Sequence, residues 1–520
     1  MFIDIHMKFD TVLVLDFGGQ YCHLIGRCVR ENNVYSEIVP HDISAKDINA
    51  LREKFNVKGL ILSGGPQSVY EKDAPELNTE VLEAGLPILG LCYGHQLLAH
   101  MTGGVVKRGG KKEFGITHVT IDTANVVLKG LAHKEKVWMS HGDTVYSLPE
   151  IYQTLAHTEN TPVAAFRHKK KPIYGVQWHP EVVHTEHGMK ILQNFLFKIC
   201  KCQPNWVMED FIEKATAEVK QQIRGKKAII ALSGGIDSST ATAITAKAIG
   251  KNLTAVFVDH GFMRQDESEF VQKTFHKLPI NFRAINARKR FMDKLHGVID
   301  PERKRKIIGE EFIHVFEEVA RKEGADFLVQ GTIYPDRIES GFRKFSDKIK
   351  THHNVAGLPT KMEFKGIVEP LRDLYKDEVR KVARKLRLPE KIVTRQPFPG
   401  PGLAVRIVGE ITEEKVEVER RADKIVTDEI EKAGLKDSLW QYFAVLTDTK
   451  STGVKGDSRA YGYTVAIRVM ESREAMTASF AKIPYEVLEK ISTRITNEIP
   501  EVTRVVYDVT HKPPATIEWE

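Results

Sequence analysis

At 520 residues, with 42% hydrophobic and 28% charged residues, the chain has the make-up of a soluble globular protein of about three domains. The net charge of +7 is mild for this length and suits anionic small molecules as well as nucleic acid. Five cysteines without a CxxC pair argue against a disulfide framework and a zinc site, and no apolar run approaches the ~18 residues of a membrane helix. The opening "MFIDIHMKFD" lacks a basic n-region and an apolar h-region, so the expectation is a chain of the reducing cytoplasm.

From about residue 10 to 200, "TVLVLDFGG", "VKGLILSGGP", "LPILGLC" and "KPIYGVQWHP" each read as a buried strand ending in a glycine turn. That rhythm predicts an α/β domain over 8–203, with a mostly parallel sheet covered by helices. "HGMKILQNFLFKIC" reads as its last helix, and "KCQPNW" is a polar break. The rhythm restarts at "KKAIIALSGGIDSSTATAITAKAIG" and continues through "LTAVFVDHG" and "ADFLVQGT", a second parallel α/β domain over 204–395. "RQPFPGPGLAV" is a fixed loop or linker. Beyond it "TEEKVEVERRADKIVTDEIEKAG" is an amphipathic helix, while "YGYTVAIRVM" and "TRVVYDVT" read as strands. Val487, Leu488, Ile491 and Ile495 share one helical face. The third domain, 396–520, is therefore α+β.

"GLCYG" places Cys92 where a strand turns sharply into a helix, with Gly90 and Gly94 giving room for the bend. The start of that helix sets its positive end beside the sulfur and favours thiolate. Such a nucleophile needs a base and a group that orients the base. In "YGVQWHPE", His179 and Glu181 stand two residues apart on an extended segment that Pro180 keeps from becoming helical. "LILSGGP" offers backbone N–H groups at Gly64 and Gly65 which, with Tyr93 N–H, form a candidate oxyanion hole.

"GLCYGHQ", "SGGP" and "QWHPE", in this order, resemble the class I glutamine amidotransferases, whose fold is flavodoxin-like. The resemblance implies that Cys92 forms the glutamyl thioester, His179 shuttles the proton and Glu181 orients the histidine. It also places Gln96 with the oxyanion and glutamine-binding residues.

"IIALSGGIDSS" lacks the lysine of a Walker A loop but keeps its physical features of strand, glycines, hydroxyls and helix start. Backbone N–H groups with Ser233, Ser238 and Ser239 can surround an anion. Asp237 would repel phosphate unless a divalent cation intervened, so Mg²⁺ held by Asp237 is expected. "SGGIDSS" resembles the PP-loop of the N-type ATP pyrophosphatases, of adenine nucleotide hydrolase-like fold, which transfer AMP to an acceptor oxygen. The resemblance implies ATP binding by Ser233, Gly234, Gly235, Ile236, Asp237, Ser238, Ser239 and Val258.

An ammonia-releasing domain joined to an adenylating one describes ATP-dependent amidation. "IKTHHNVAGLP", "EPLRDLYKDEVR", "PFPGPGLAVR", "TGVKGDSRAYGY" and "KPPATIEWE" resemble the glutamine-hydrolysing GMP synthetase family, over nearly the whole chain. That resemblance implies a ligase that adenylates and aminates XMP to GMP, with glutamine, ATP and XMP as small-molecule partners and neither nucleic acid nor membrane. It implies a homodimer formed by the C-terminal domain. Arg264, Arg406 and Lys512 are candidates for the nucleotide phosphate, and Gln441, Ile517 and Glu518 for the purine. Lys350 is expected on a lid that meets pyrophosphate. Two rivals remain at this point. A PP-loop tRNA-modifying ATPase would put the positive charge to use on RNA, and a scaffold with a dead amidotransferase fold would lack its nucleophile or base. Cys22 and Cys28 read as core thiols.

Overall fold

The structure is a computed structural model and describes residues 8–122, 125–342, 364–472 and 478–520. The chain divides into two compact units, the first running to Lys214 and the second beginning at Ala215.

In the first unit, nine strands form one sheet in the order β2-β1-β3-β4-β9-β8-β7-β5-β6. They are β1 (Asp10–Asp16), β2 (Tyr35–Pro40), β3 (Asn56–Leu62), β4 (Ile88–Leu91), β5 (Val105–Ile121), β6 (Lys134–Ser147), β7 (Tyr152–His157), β8 (Ala165–His168) and β9 (Ile173–Val176). The four sequence-predicted strands are β1, β3, β4 and β9, adjacent and parallel at the centre. Leu13, Leu15, Leu60, Leu62 and Ile88 are buried among them, as strands covered on both faces require. The expectation of a mostly parallel sheet holds for only half of it. Strands β8, β7, β5 and β6 pair antiparallel, and β6 alternates buried with open positions along most of its length.

Register positions the site. Leu62 pairs with Gly90, and Leu91 with Val176, so the residues after β3, β4 and β9 leave the sheet at one edge. That edge is the carboxyl end of the parallel strands, where open α/β sheets bind their ligands. The unit continues past Pro204, since Trp206 packs edge-on against Phe9 at 4.8 Å and tilts against Tyr35 at 4.7 Å.

The second unit opens with a parallel sheet of β10 (Ala228–Ala231), β11 (Leu253–Asp259), β12 (Asn281–Asn286), β13 (Phe327–Val329) and β14 (Gly366–Val368), ordered β12-β11-β10-β13-β14. Its last part is α+β, with β15 (Gln441–Lys455), β16 (Ser458–Glu471), β17 (Ser479–Phe480) and β18 (Val502–Tyr507). Strand β18 lies parallel on β16, which is antiparallel to β15 and β17. The helix Glu413–Lys432 starts at Thr412, whose hydroxyl accepts the Lys415 N–H at 3.2 Å. Val487, Ile491 and Ile495 of the helix Tyr485–Glu498 are buried, while Leu488 is partly covered. One apolar core runs without a break from Ile229 and Val256 through Leu403 and Ala404 to Ile491.

Candidate functional site

Cys92 sits between β4 and the helix Tyr93–Met101 with φ of +51° and ψ of −103°. A non-glycine residue held there costs about 1–3 kcal/mol and persists only where its surroundings enforce it. They do so here. The Cys92 N–H donates to the Val176 carbonyl at 3.0 Å, and the Gly94 N–H to Ser63 at 3.2 Å. A Cβ at Gly90 would stand 2.5 Å from the Gly94 oxygen, and one at Gly94 would stand 2.6 Å from both Cβ and the carbonyl oxygen of Leu62. Both glycines are therefore required by close backbone approach. The thiol lies 3.7 Å from the Ser140 carbonyl.

His179 follows β9, its N–H donating to Trp138 and its carbonyl receiving the Thr185 hydroxyl at 2.6 Å. Its Nδ1 lies 2.7 Å from Glu181 Oε1, so that nitrogen carries the proton and Nε2 is left for the sulfur, which is within hydrogen-bonding reach. Burial works against charge on the ring, but the Cys92 sulfur and the Glu181 carboxylate outweigh it and raise the pKa to about 11. Gly64 lies against both partners: a Cβ there would be 3.3 Å from His179 Cε1 and 3.7 Å from Cys92 Cβ. Gly65 packs on the Tyr93 ring. The Tyr93 N–H has no backbone acceptor among the described residues. The structure thus gathers Cys92, His179, Glu181, Gly64, Gly65 and Tyr93 at one point.

Gln96 is held differently. Its amide donates to the Asp143 carbonyl at 2.9 Å and to Gln177 Oε1 at 3.1 Å, so it braces the strand that faces the thiol. Sequence reasoning missed that strand, Ser140–Asp143 of β6. His141 Nδ1 lies 2.8 Å from the Asp143 carbonyl and its Nε2 lies 3.2 Å from Glu113 Oε2. Glu113 also receives the hydroxyls of Thr158 and Thr161, each at 2.8 Å. Burial raises the Glu113 pKa, but the hydrogen bonds from His141, Thr158 and Thr161 prevail and hold it at about 2. The "SHGD" run was the available signal, and it does not stand out among the chain's many other polar runs. Cys22 and Cys28 are both buried. The Cys28 thiol, raised to about 12 mainly by burial, lies 3.6 Å from the Glu181 carbonyl.

In the second unit β10 delivers the loop Ser233–Gly235 to the helix Ile236–Ile249. Gly234 has φ of +74°. Ser233 and Ser238 hydroxyls meet at 3.0 Å, and the Gly235 N–H donates to the Ser233 hydroxyl at 3.2 Å. The Ser239 hydroxyl is buried without a partner. Val258 contributes its side chain to the core. Lys376, not singled out from the sequence, pairs with Asp237 Oδ2. Asp237 Oδ1 is buried and has no hydrogen-bond partner, an orphaned oxygen that suits a cation. No group of three or more metal-ligating side chains occurs among the described residues, so a Mg²⁺ held here would take its other ligands from phosphate and water. Lys350 lies outside the described residues.

Of the six residues expected at the nucleotide, four come together. Arg406 is fully buried and forks onto Glu518 at 3.0 and 3.1 Å, with Asp423 at 3.1 Å on its third nitrogen. Gln441 donates to Glu518 at 2.5 Å. Arg264 pairs with Asp423 at 3.4 Å and stacks 4.4 Å over Phe398. Ile517 is buried with Met470 and Ala478. Lys512 pairs through its backbone with Ala478. A residue that sequence reasoning missed holds the tail in place. Arg468, buried in β16, donates to the carbonyls of Ile517 at 2.9 Å and Thr516 at 2.6 Å and pairs with Asp508.

Three family models match in succession: glutamine amidotransferase class-I over residues 13–199, PP-loop domain over 208–389 and GMP synthase C terminal domain over 428–519. GMP synthase (glutamine-hydrolyzing) of Caldicellulosiruptor saccharolyticus is 55% identical over 516 residues, covering 99% of this chain and 100% of the relative. The proteins of that name from Acetivibrio thermocellus and Clostridium botulinum are 54% identical with the same coverage. The chain belongs to the glutamine-hydrolysing GMP synthase family. Within this family's segments, Cys92, His179 and Glu181 fall in the first match, Ser233–Ser239 and Lys376 in the second, and Gln441, Ile517 and Glu518 in the third. No helix among the described residues is long and apolar enough to cross a membrane.

Proposed function

We propose that the chain makes GMP from XMP in the cytoplasm, taking nitrogen from glutamine and cleaving ATP to AMP and pyrophosphate. The Cys92 sulfur attacks the glutamine amide carbonyl, and the N–H groups of Tyr93 and of Gly64 and Gly65 receive the oxyanion. His179 Nε2 passes its proton to the departing ammonia, and Glu181 keeps the ring in the tautomer that this transfer needs. Water then releases glutamate from the thioester.

In the second unit the loop Ser233–Gly235 and the start of the helix at Ile236 grip ATP phosphates through backbone N–H groups. The 2-carbonyl oxygen of XMP attacks the α-phosphorus and pyrophosphate leaves; ammonia then displaces AMP at that carbon. Asp237 would hold Mg²⁺, which neutralises phosphate charge when bound. Arg264, Arg406 and Lys512 are assigned to the nucleotide phosphate, and Gln441, Ile517 and Glu518 to the purine. Because Glu518 fills the Arg406 fork, a phosphate would reach Arg406 only after Glu518 withdraws. Domains over 8–203, 204–395 and 396–520 divide these tasks. A homodimer through the last of them is supported by open apolar side chains at Val454, Tyr461 and Tyr485.

The observation that carries this reading is one chain's possession of both the Cys92–His179–Glu181 site and the serine-rich loop opening on Asp237. Incubation with XMP, ATP, Mg²⁺ and glutamine tests it: the products should be GMP, AMP, pyrophosphate and glutamate. ADP with orthophosphate in their place would defeat it.

A further inference from the structure

Three guanidinium groups surround one aromatic ring. Those of Arg264, Arg406 and Arg395 lie 4.4, 5.2 and 5.4 Å from the Phe398 centroid. Arg406 is paired by Glu518 and Asp423, and Arg264 by Asp423. Arg395 is placed otherwise. Its one carboxylate among the described residues, Glu267, opens the helix Glu267–Phe275. Its Nε is buried without a hydrogen-bond partner, and its side chain is only 12% exposed. A Cβ on Gly234 would stand 3.2 Å from its Nη1. A single cation therefore spans from the phosphate-gripping glycine to the ring shared by two arginines assigned to the nucleotide. Holding a charge there with an idle donor is costly unless an anion visits the place.

We propose that Arg395 is a catalytic residue of adenylyl transfer, touching the ATP phosphates where the bond between α-phosphorus and pyrophosphate breaks. The inference deepens the function proposed above and rests on it. As the XMP oxygen bonds to the α-phosphorus, the bond to the bridging oxygen breaks and its electron pair leaves on pyrophosphate. Negative charge grows at that oxygen, and little other than positioning and charge is asked of the protein. With the β- and γ-phosphates on the N–H groups of the loop, a donor beside Gly234 is at hand for it. Arginine suits the place because its fork can hold Glu267 and a phosphate together while its face lies on Phe398.

The test uses full-length Arg395→Gln and Arg395→Lys with XMP, ATP, Mg²⁺ and ammonium salt, which bypasses glutamine. Loss of one such donor costs on the order of 10²–10³ in kcat, and that fall is expected for Arg395→Gln with KM for XMP kept within about threefold. Arg395→Lys should recover about tenfold of it, since the charge returns without the fork. Arg395→Gln should also melt lower, because Glu267 loses its partner, whereas Arg395→Lys should keep a thermal midpoint near the wild type. A raised KM for XMP with kcat intact would make Arg395 a nucleotide binder and overturn the proposal. Equal kcat in the Gln and Lys variants would also overturn it. If the wild type itself formed no GMP, the function proposed above would fall first and this inference with it.

Discussion

The Nδ1 of His179 stands 2.7 Å from Oε1 of Glu181, two residues along the chain and across a single proline. Most acid–base pairs must be assembled from distant segments. Here the extended backbone of "HPE" turns both side chains to one side, and both are buried. The contact is fixed locally, and only the thiol has to be brought to it.

Glu181→Gln should abolish most glutamine-dependent turnover while leaving turnover with ammonium salt. Losing the group that orients the base in an acyl-transfer triad costs on the order of 10⁴ in kcat. Parallel assays with the two nitrogen sources check this, and an equal loss in both would contradict the division of labour.

The pH dependence of stability has a definite sign. His179 is raised from an ordinary 6.5 to about 11, so its pairing contributes stability that is complete below pH 6.5 and lost as pH rises towards 11. Glu113 is lowered from 4.5 to about 2, so its contribution is complete above pH 4.5 and lost as pH falls towards 2. Urea denaturation of wild type against Glu181→Gln should show a gap that narrows on the alkaline side. Glu113→Gln should show a gap that narrows on the acid side.

Gly94→Ala should damage the elbow itself. The new Cβ would meet Leu62 backbone and side chain at 2.6 Å, and neither can swing away. Overpacking of this kind costs typically ~1–3 kcal/mol, read as a lower thermal midpoint together with lost glutaminase activity.

Arg468→Gln should loosen the tail that bears Ile517 and Glu518, because the carbonyls of Thr510, Thr516 and Ile517 and the Asp508 carboxylate lose their shared donor. The expected outcome is a KM for XMP raised about tenfold, as for ~1.4 kcal/mol of lost positioning, with glutamine hydrolysis unaffected. An unchanged KM would show that the tail plays no part in binding the nucleotide.

Asp237→Ala and Lys376→Ala should each suppress AMP formation with either nitrogen source. The former removes the orphaned oxygen and the latter the cation paired to Oδ2. Product analysis with ammonium salt isolates the effect, and sustained AMP formation by Asp237→Ala would rule out its role at the phosphates.

The parts of this molecule legible in the sequence were those built from consecutive residues. The β1, β3, β4 and β9 strands showed as continuous apolar runs because both their faces are buried, and the turns showed through glycines that a Cβ would clash with. The juxtaposition of His179 and Glu181 was legible for the same reason. The antiparallel half of the first sheet was not, since β5 carries the polar and glycine-rich run 107–113 and β6 the run 140–144, which read as surface loops. Lys376, Arg395, Arg468 and Glu113 were missed because each acts on a partner far along the chain. An isolated Lys, Arg or Glu looks the same in a sequence whether it faces water or a buried counter-charge.

The fork between Arg406 and Glu518 bears on how preparations of this protein should be handled. A carboxypeptidase that trimmed past Glu518 would strand a fully enclosed guanidinium with half its counter-charge, a defect of roughly 3–5 kcal/mol when a buried pair loses one partner. Ageing stocks should therefore be judged by intact mass at the carboxyl end before any fall in synthesis is blamed on oxidation of Cys92.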